Sequence, residues 1–171
     1  MLGTNKKGRF NMLKKLATVI TLCALTSTNV FAANTTAQAL QVVEAAISIT
    51  KLSDLNFGIA IQGDAEKTVA AGAVDNLENA SFKIMGEPNK AFQLTIPANS
   101  TVKMYLGGDS SLTDPTKMID VEDFTSNLDG TSPSIDTNGE KLLLVGATRS
   151  ALLANQTRGN YSGDFEVTVV Y

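Results

Sequence analysis

The residues richest in chemistry are carboxylates: Asp109, Asp114, Asp120, Glu122 and Asp123 crowd the middle of the chain. On a strand Asp120 and Glu122 would share one face, as a carboxylate pair must, and with Asp109 and Asp114 they offer the oxygen ligands of a calcium site. No calcium-loop spacing with its obligatory glycine surrounds them, so a solvated strand edge and loop is the stronger reading. Histidine is absent, and the single cysteine, Cys23, sits in an N-terminal apolar run. Ser-His-Asp and Cys-His catalysis are thereby excluded, as are zinc sites built on imidazole or thiolate. Only carboxylate chemistry or a serine-lysine pair remains open to an enzyme, and no pattern favours either. The glycines at 107, 108, 159 and 163 do not follow a strand and open a helix, so they read as turns rather than phosphate cradles. The chain reads as non-enzymatic, with no cofactor and no metal.

The N-terminus carries an address. Lys14 and Lys15 precede an apolar run over residues 16–25, and Val30-Phe31-Ala32 forms a small-x-small site before Ala33. This is the pattern of a secretory signal peptide over residues 1–32, cut between Ala32 and Ala33, with Met12 the expected start. The apolar run is about ten residues, half of the roughly twenty that a membrane span needs, so no transmembrane anchor is expected in the mature chain. Cys23 follows Leu22, whereas a lipid-modified cysteine follows a small residue. Of 171 residues, removing 32 leaves 139, enough for one domain with its own core and no disulfide.

All 17 acidic residues follow the leader, which holds five of the 14 cations; nine cations against 17 anions give the mature chain a net charge of −8. The cations are scattered singly, so nucleic acid and anionic membranes are poor partners, and the acidity serves solubility.

These side chains must be positioned by strands. Residues 33–40 are small and polar, a mobile tail, and residues 41–171 form a single β domain. Val43, Ala45, Ile47 and Ile49 alternate with Glu44, Ala46, Ser48 and Thr50, as a strand does. A second strand is expected over residues 55–61, and a short edge strand over 67–71. Phe82 and Ile84, the turn Gly86-Glu87-Pro88-Asn89, then Phe92, Leu94 and Ile96 read as a hairpin. Val102, Met104 and Leu106 alternate next, residues 118–124 follow as a strand, and residues 127–139 make a long polar loop. Residues 141–146 are, after Lys141, continuously apolar, the pattern of a strand covered on both faces. A short strand or turn is expected at 151–153. In the last stretch Gly159 and Gly163 bracket Tyr161 and Ser162 as a turn, and Phe165, Val167, Val169 and Tyr171 fall on one face of a terminal strand. About eight or nine strands with turns between them, and no helical period outside the leader, argue an all-β antiparallel sandwich.

Leu55-Asn56-Phe57-Gly58, Gly86-Glu87-Pro88-Asn89 leading to Phe92, and the terminal Gly-x-Tyr-Ser-Gly-x-Phe-x-Val-Thr-Val-x-Tyr resemble, in order and spacing, a bacterial family known as domain of unknown function 4402. Val145-Gly146 and Leu152 are similar to its V-G-x-x-L region, with Ala147 where a second glycine is common. The resemblance spans residues 47–171. It implies an immunoglobulin-like, pilin-like sandwich in a protein exported to the periplasm, cell surface or exterior of a bacterium, and brings no catalytic residue or ligand.

An incomplete sandwich can be completed by an extended segment of another chain. The candidate donor places Val43, Ala45, Ile47 and Ile49 in a neighbour's groove; the competing reading makes the same residues the first strand of their own domain. Two functions therefore stand against each other. One is a fimbrial-type subunit that associates by strand complementation with copies of itself or other pilin-like subunits, helped by a periplasmic chaperone. The other is a self-contained binding or adhesion module at the cell surface.

Overall fold

The computed structural model describes residues 34–97 and 101–171. The expected signal peptide, its cleavage site at Ala32 and Ala33 and the start at Met12 lie outside the described residues. Residues 42–171 form one compact unit. Residues 34–41 belong to the other and hold no strand. Among the described residues there is no α-helix, only the 3-10 turn Pro115–Lys117, and so no helix long and apolar enough to cross a membrane.

The organising strand is β7, Glu140–Arg149, which contains the continuous apolar run. Leu143, Leu144, Val145 and Ala147 are buried, and since neighbours point to opposite faces, both faces of β7 are covered. On one side it pairs with β3 (Ala80–Met85) and then with β2 (Lys67–Val69); on the other it pairs with β6 (Met118–Ser126). All pairings are antiparallel. The sheet extends past β3 to β1 (Ser48–Ser53), and past β6 to β5 (Val102–Leu106) and β8 (Tyr161–Ser162). Gly146 stands where the chain leaving β2 crosses over β7. A Cβ there would overlap the backbone of Val69, Ala70 and Ala71, so the crossing requires a residue without one.

Two irregularities bend this sheet. Leu52 is an extra residue in β1, between Lys51 opposite Phe82 and Ser53 opposite Ser81. In β6, Glu122 faces Thr148 and Thr125 faces Gly146, so Asp123 and Phe124 oppose one residue; Asp123 takes φ 52 to make the bulge. Phe124 is buried beside it, in a core with Phe82, Ile84, Val121, Leu143 and Val145. Each such side chain contributes roughly 1.5–3 kcal/mol by leaving water.

A second sheet has two strands, β4 (Gln93–Thr95) and β9 (Thr168–Val170). Its Leu94 and Val169 and the neighbouring Phe165 and Val167 pack against the core of the larger sheet, so the arrangement is a curled, sandwich-like one. The expected hairpin through residues 86–89 is not formed: β3 pairs with β1 and β7, whereas β4 pairs with β9. The turn is real, with Lys90 N–H donating to the Glu87 carbonyl at 3.2 Å and Asn89 at φ 62 after Pro88. It carries the chain from one sheet to the other, and turn chemistry does not distinguish the two outcomes.

Other expectations shift. The first strand begins at Ser48, not at residue 41; residues 55–61 and 151–153 hold no strand; and Tyr161 and Ser162, expected as a turn, form β8. At residues 55–61 the apolar alternation fails because Gly58 sits at φ 71, which breaks the extended run. The terminal strand is shorter than its pattern, for only residues 168–170 of 165–171 pair. Val102–Leu106 forms as read, the strand expected over 118–124 runs two residues further as Met118–Ser126, and nine strands are present among the described residues.

Candidate interaction edge

The acidic residues singled out in the sequence are spent locally. Asp120 pairs with Lys103 at 2.5 Å across β5 and β6. Asp109 accepts from the hydroxyl and amide of Ser111, and Asp114 from those of Thr116; the hydroxyl bonds, with the amides behind them, hold both carboxyls below the usual range. Glu122, just before the bulge, and Asp123, within it, are exposed. Among the described residues no three His, Cys, Asp or Glu side chains come together as metal ligands.

The residues proposed as a strand donor divide. Val43 is 83% exposed, as are its apolar neighbours Leu40 and Val42. The Ala45 N–H donates to Glu87 Oε2 at 2.8 Å, and Lys90 pairs with Glu44. Ile47 and Ile49 pack against the core, and Ile49 lies opposite Ile84 in the ladder of β1 with β3. The sequence alternation is continuous over these residues, but the chain docks onto its own sheet only from about Ile47 onward.

The terminal residues keep their alternation of burial: Phe165, Val167 and Val169 are half-buried, while Glu166, Thr168 and Val170 are exposed. Phe165 lies between Phe82, edge-on at 6.3 Å, and Phe124 at 5.1 Å. Tyr171 is 41% exposed yet held at both ends: its hydroxyl accepts from the Glu87 N–H, and Lys90 Nζ lies 4.3 Å above its ring.

The β4–β9 sheet is where the fold is least complete. Gln93 and Thr95 face Val170 and Thr168 in the ladder. Phe92 N–H donates the other way, to the Pro133 carbonyl at 3.0 Å, where Ala91 bridges Ser134. The period of two then turns the N–H and C=O of Leu94 to that same side, where no turn or loop backbone group bonds them among the described residues. A cleft of about 620 Å³ opens there, lined by Phe92, Leu94, Ile96, Leu128 and Tyr171 and by the polar loop at 129–133. The outer edge of β9 is likewise unladdered among the described residues. Sequence reasoning missed this edge because it paired Leu94 and Ile96 with the preceding strand; a lone two-stranded sheet has no signal in local pattern.

Comparison with known proteins adds one finding. A family model described as Domain of unknown function (DUF4402) matches residues 47–171. No curated protein and no solved structure matches the chain.

Proposed function

We propose that this chain, which belongs to the family described as domain of unknown function (DUF4402), is a non-enzymatic, exported structural subunit of pilin-like, immunoglobulin-like character. It associates by strand complementation with copies of itself or with other pilin-like subunits at a bacterial surface, after handling by a periplasmic chaperone. The observation that carries this reading is the two-stranded sheet β4–β9. An isolated pair of strands is marginal in water, and this one presents open backbone edges beside half-buried apolar side chains. An incoming extended segment would supply the missing ladder and cover Leu94 and Ile96. The segment fitted to do so in a second copy is residues 34–43, with Leu40, Val42 and Val43 exposed and no strand of its own.

The competing reading, a self-contained surface binding module, is favoured by one fact: Ser48–Ser53 already fills its place beside β3. The size of the purified protein in solution separates the two. Assembly above a monomer that disappears in Leu94→Pro, with the far-ultraviolet spectrum kept, is the expected result, since proline removes the outward N–H and spares the ladder to β9. Val43→Asp should act likewise from the donor side. A monomer at all concentrations, or assembly untouched by both substitutions, would leave the binding module standing.

A further inference from the structure

Arg149 ends β7 and is 4% exposed, so its charge is held away from water. Its Nη1 donates to the Ser150 carbonyl at 2.7 Å and its Nη2 to that of Ala65 at 2.9 Å, but the Nε–H has no acceptor. No carboxylate stands within ion-pair distance of it among the described residues. A buried guanidinium served only by neutral carbonyls, with one donor idle, is an uncompensated cost to the fold.

Arg149 is also part of the wall of a cavity of about 630 Å³. Arg158, exposed, lines the same cavity, so the two arginines that follow residue 33 meet here. No Asp or Glu lines it, in a protein whose acids outnumber its bases elsewhere. Of the acids on neighbouring segments, Asp64 accepts from the Ile61 N–H at 2.8 Å and Asp120 is paired with Lys103. The remaining lining mixes Phe57 and Tyr161 with the amides Asn56 and Asn160. A volume of this size suits a small molecule.

We propose that this cavity is a binding site for a small, hydroxyl-bearing carboxylate, the chemistry of a sugar acid. Arg158 meets the carboxylate from solvent as a charge-assisted donor, Arg149 supplies the buried positive charge behind it, and the aromatic and amide groups take the apolar face and the hydroxyls. The site is separate from the β4–β9 edge and needs no assembly.

Titration of the purified, isotope-labelled protein with glucuronate, followed by amide chemical shifts, tests this. Saturable shifts confined to residues 55–62 and 149–161 are expected, with a Kd on the order of 0.1–1 mM for so few contacts. Glucose should produce none. Arg158→Gln, at an exposed position where folding is not at stake, should weaken binding about tenfold, the effect of one charge-assisted hydrogen bond. Arg149→Lys, which keeps the charge but loses the planar fork, should weaken it too. Absence of saturable shifts, equal response to glucose, binding of sulfate as tight as that of glucuronate, or an Arg158→Gln protein that binds like the parent would each overturn the proposal.

Discussion

At the scale of single residues, Asp136 shows how one exposed carboxylate can organise a turn. Its Oδ1 accepts from the N–H groups of Glu140 at 2.9 Å and Asn138 at 2.8 Å, and the Glu140 bond chiefly, then the Asn138 bonds, holds its carboxyl below the usual range. A folded value below the unfolded one contributes stability above the ordinary carboxylate range, and loses it as pH falls through the depressed value. Amide exchange at Gly139 and Glu140 is therefore expected to quicken below about pH 4, ahead of β7 itself. Asp136→Asn keeps an acceptor but cannot titrate, and should abolish that pH dependence. Gly146 makes a different kind of demand. Gly146→Ala should push β2 off β7 at a cost of about 1–3 kcal/mol, seen as a lowered denaturant midpoint and lost protection at Lys67–Val69. Arg149 illustrates what single residues do not disclose in sequence. It reads there as one more scattered cation, because only the fold sets positions 149 and 158 around one cavity.

At the scale of elements, β7 was legible because a strand covered on both faces needs an unbroken apolar run, and the residues from Leu142 to Gly146 supply one. Leu143, fully buried in the middle of it, should cost about 2–5 kcal/mol on change to alanine, measured by chemical denaturation, with an unchanged slope if the unfolding stays two-state. The strands at Val102–Leu106 and Met118–Ser126 were legible for the complementary reason, an alternation that one buried face imposes. What local pattern could not deliver was partnership. Pro88 and Asn89 build the same turn whether the chain doubles back on β3 or crosses to a new sheet, and the choice falls to the long-range match of Leu94 with Val169. The candidate edge went unread with it. Residues 43–47 mark the other limit: alternation persists there without a ladder, since a pattern records which side chains could be buried and not whether a partner is present.

At the scale of the whole molecule, Phe165 is one of the large side chains that join the two sheets, and it makes aromatic contacts across them. It sits between Phe82 on β3 and Phe124 at the bulge of β6, and it lies three residues before β9, so it fastens the small sheet to the large one. The Asp123 bulge takes part indirectly, because the extra residue accompanies Phe124 at its buried position in that contact. Phe165→Ala removes both aromatic contacts. Since the ring is only half-buried, the cost should fall near the lower end of the range for such truncations, about 3 kcal/mol. The distribution of that loss is more telling than its size. Hydrogen exchange should show Gln93–Thr95 and Thr168–Val170 opening together, while β3, β6 and β7 keep their protection. Such a sub-global opening would mark the β4–β9 pair as the region that a complementing strand stabilises. If the whole domain instead opens as one unit, the small sheet is already an integral part of the core, and strand addition has much less to contribute there.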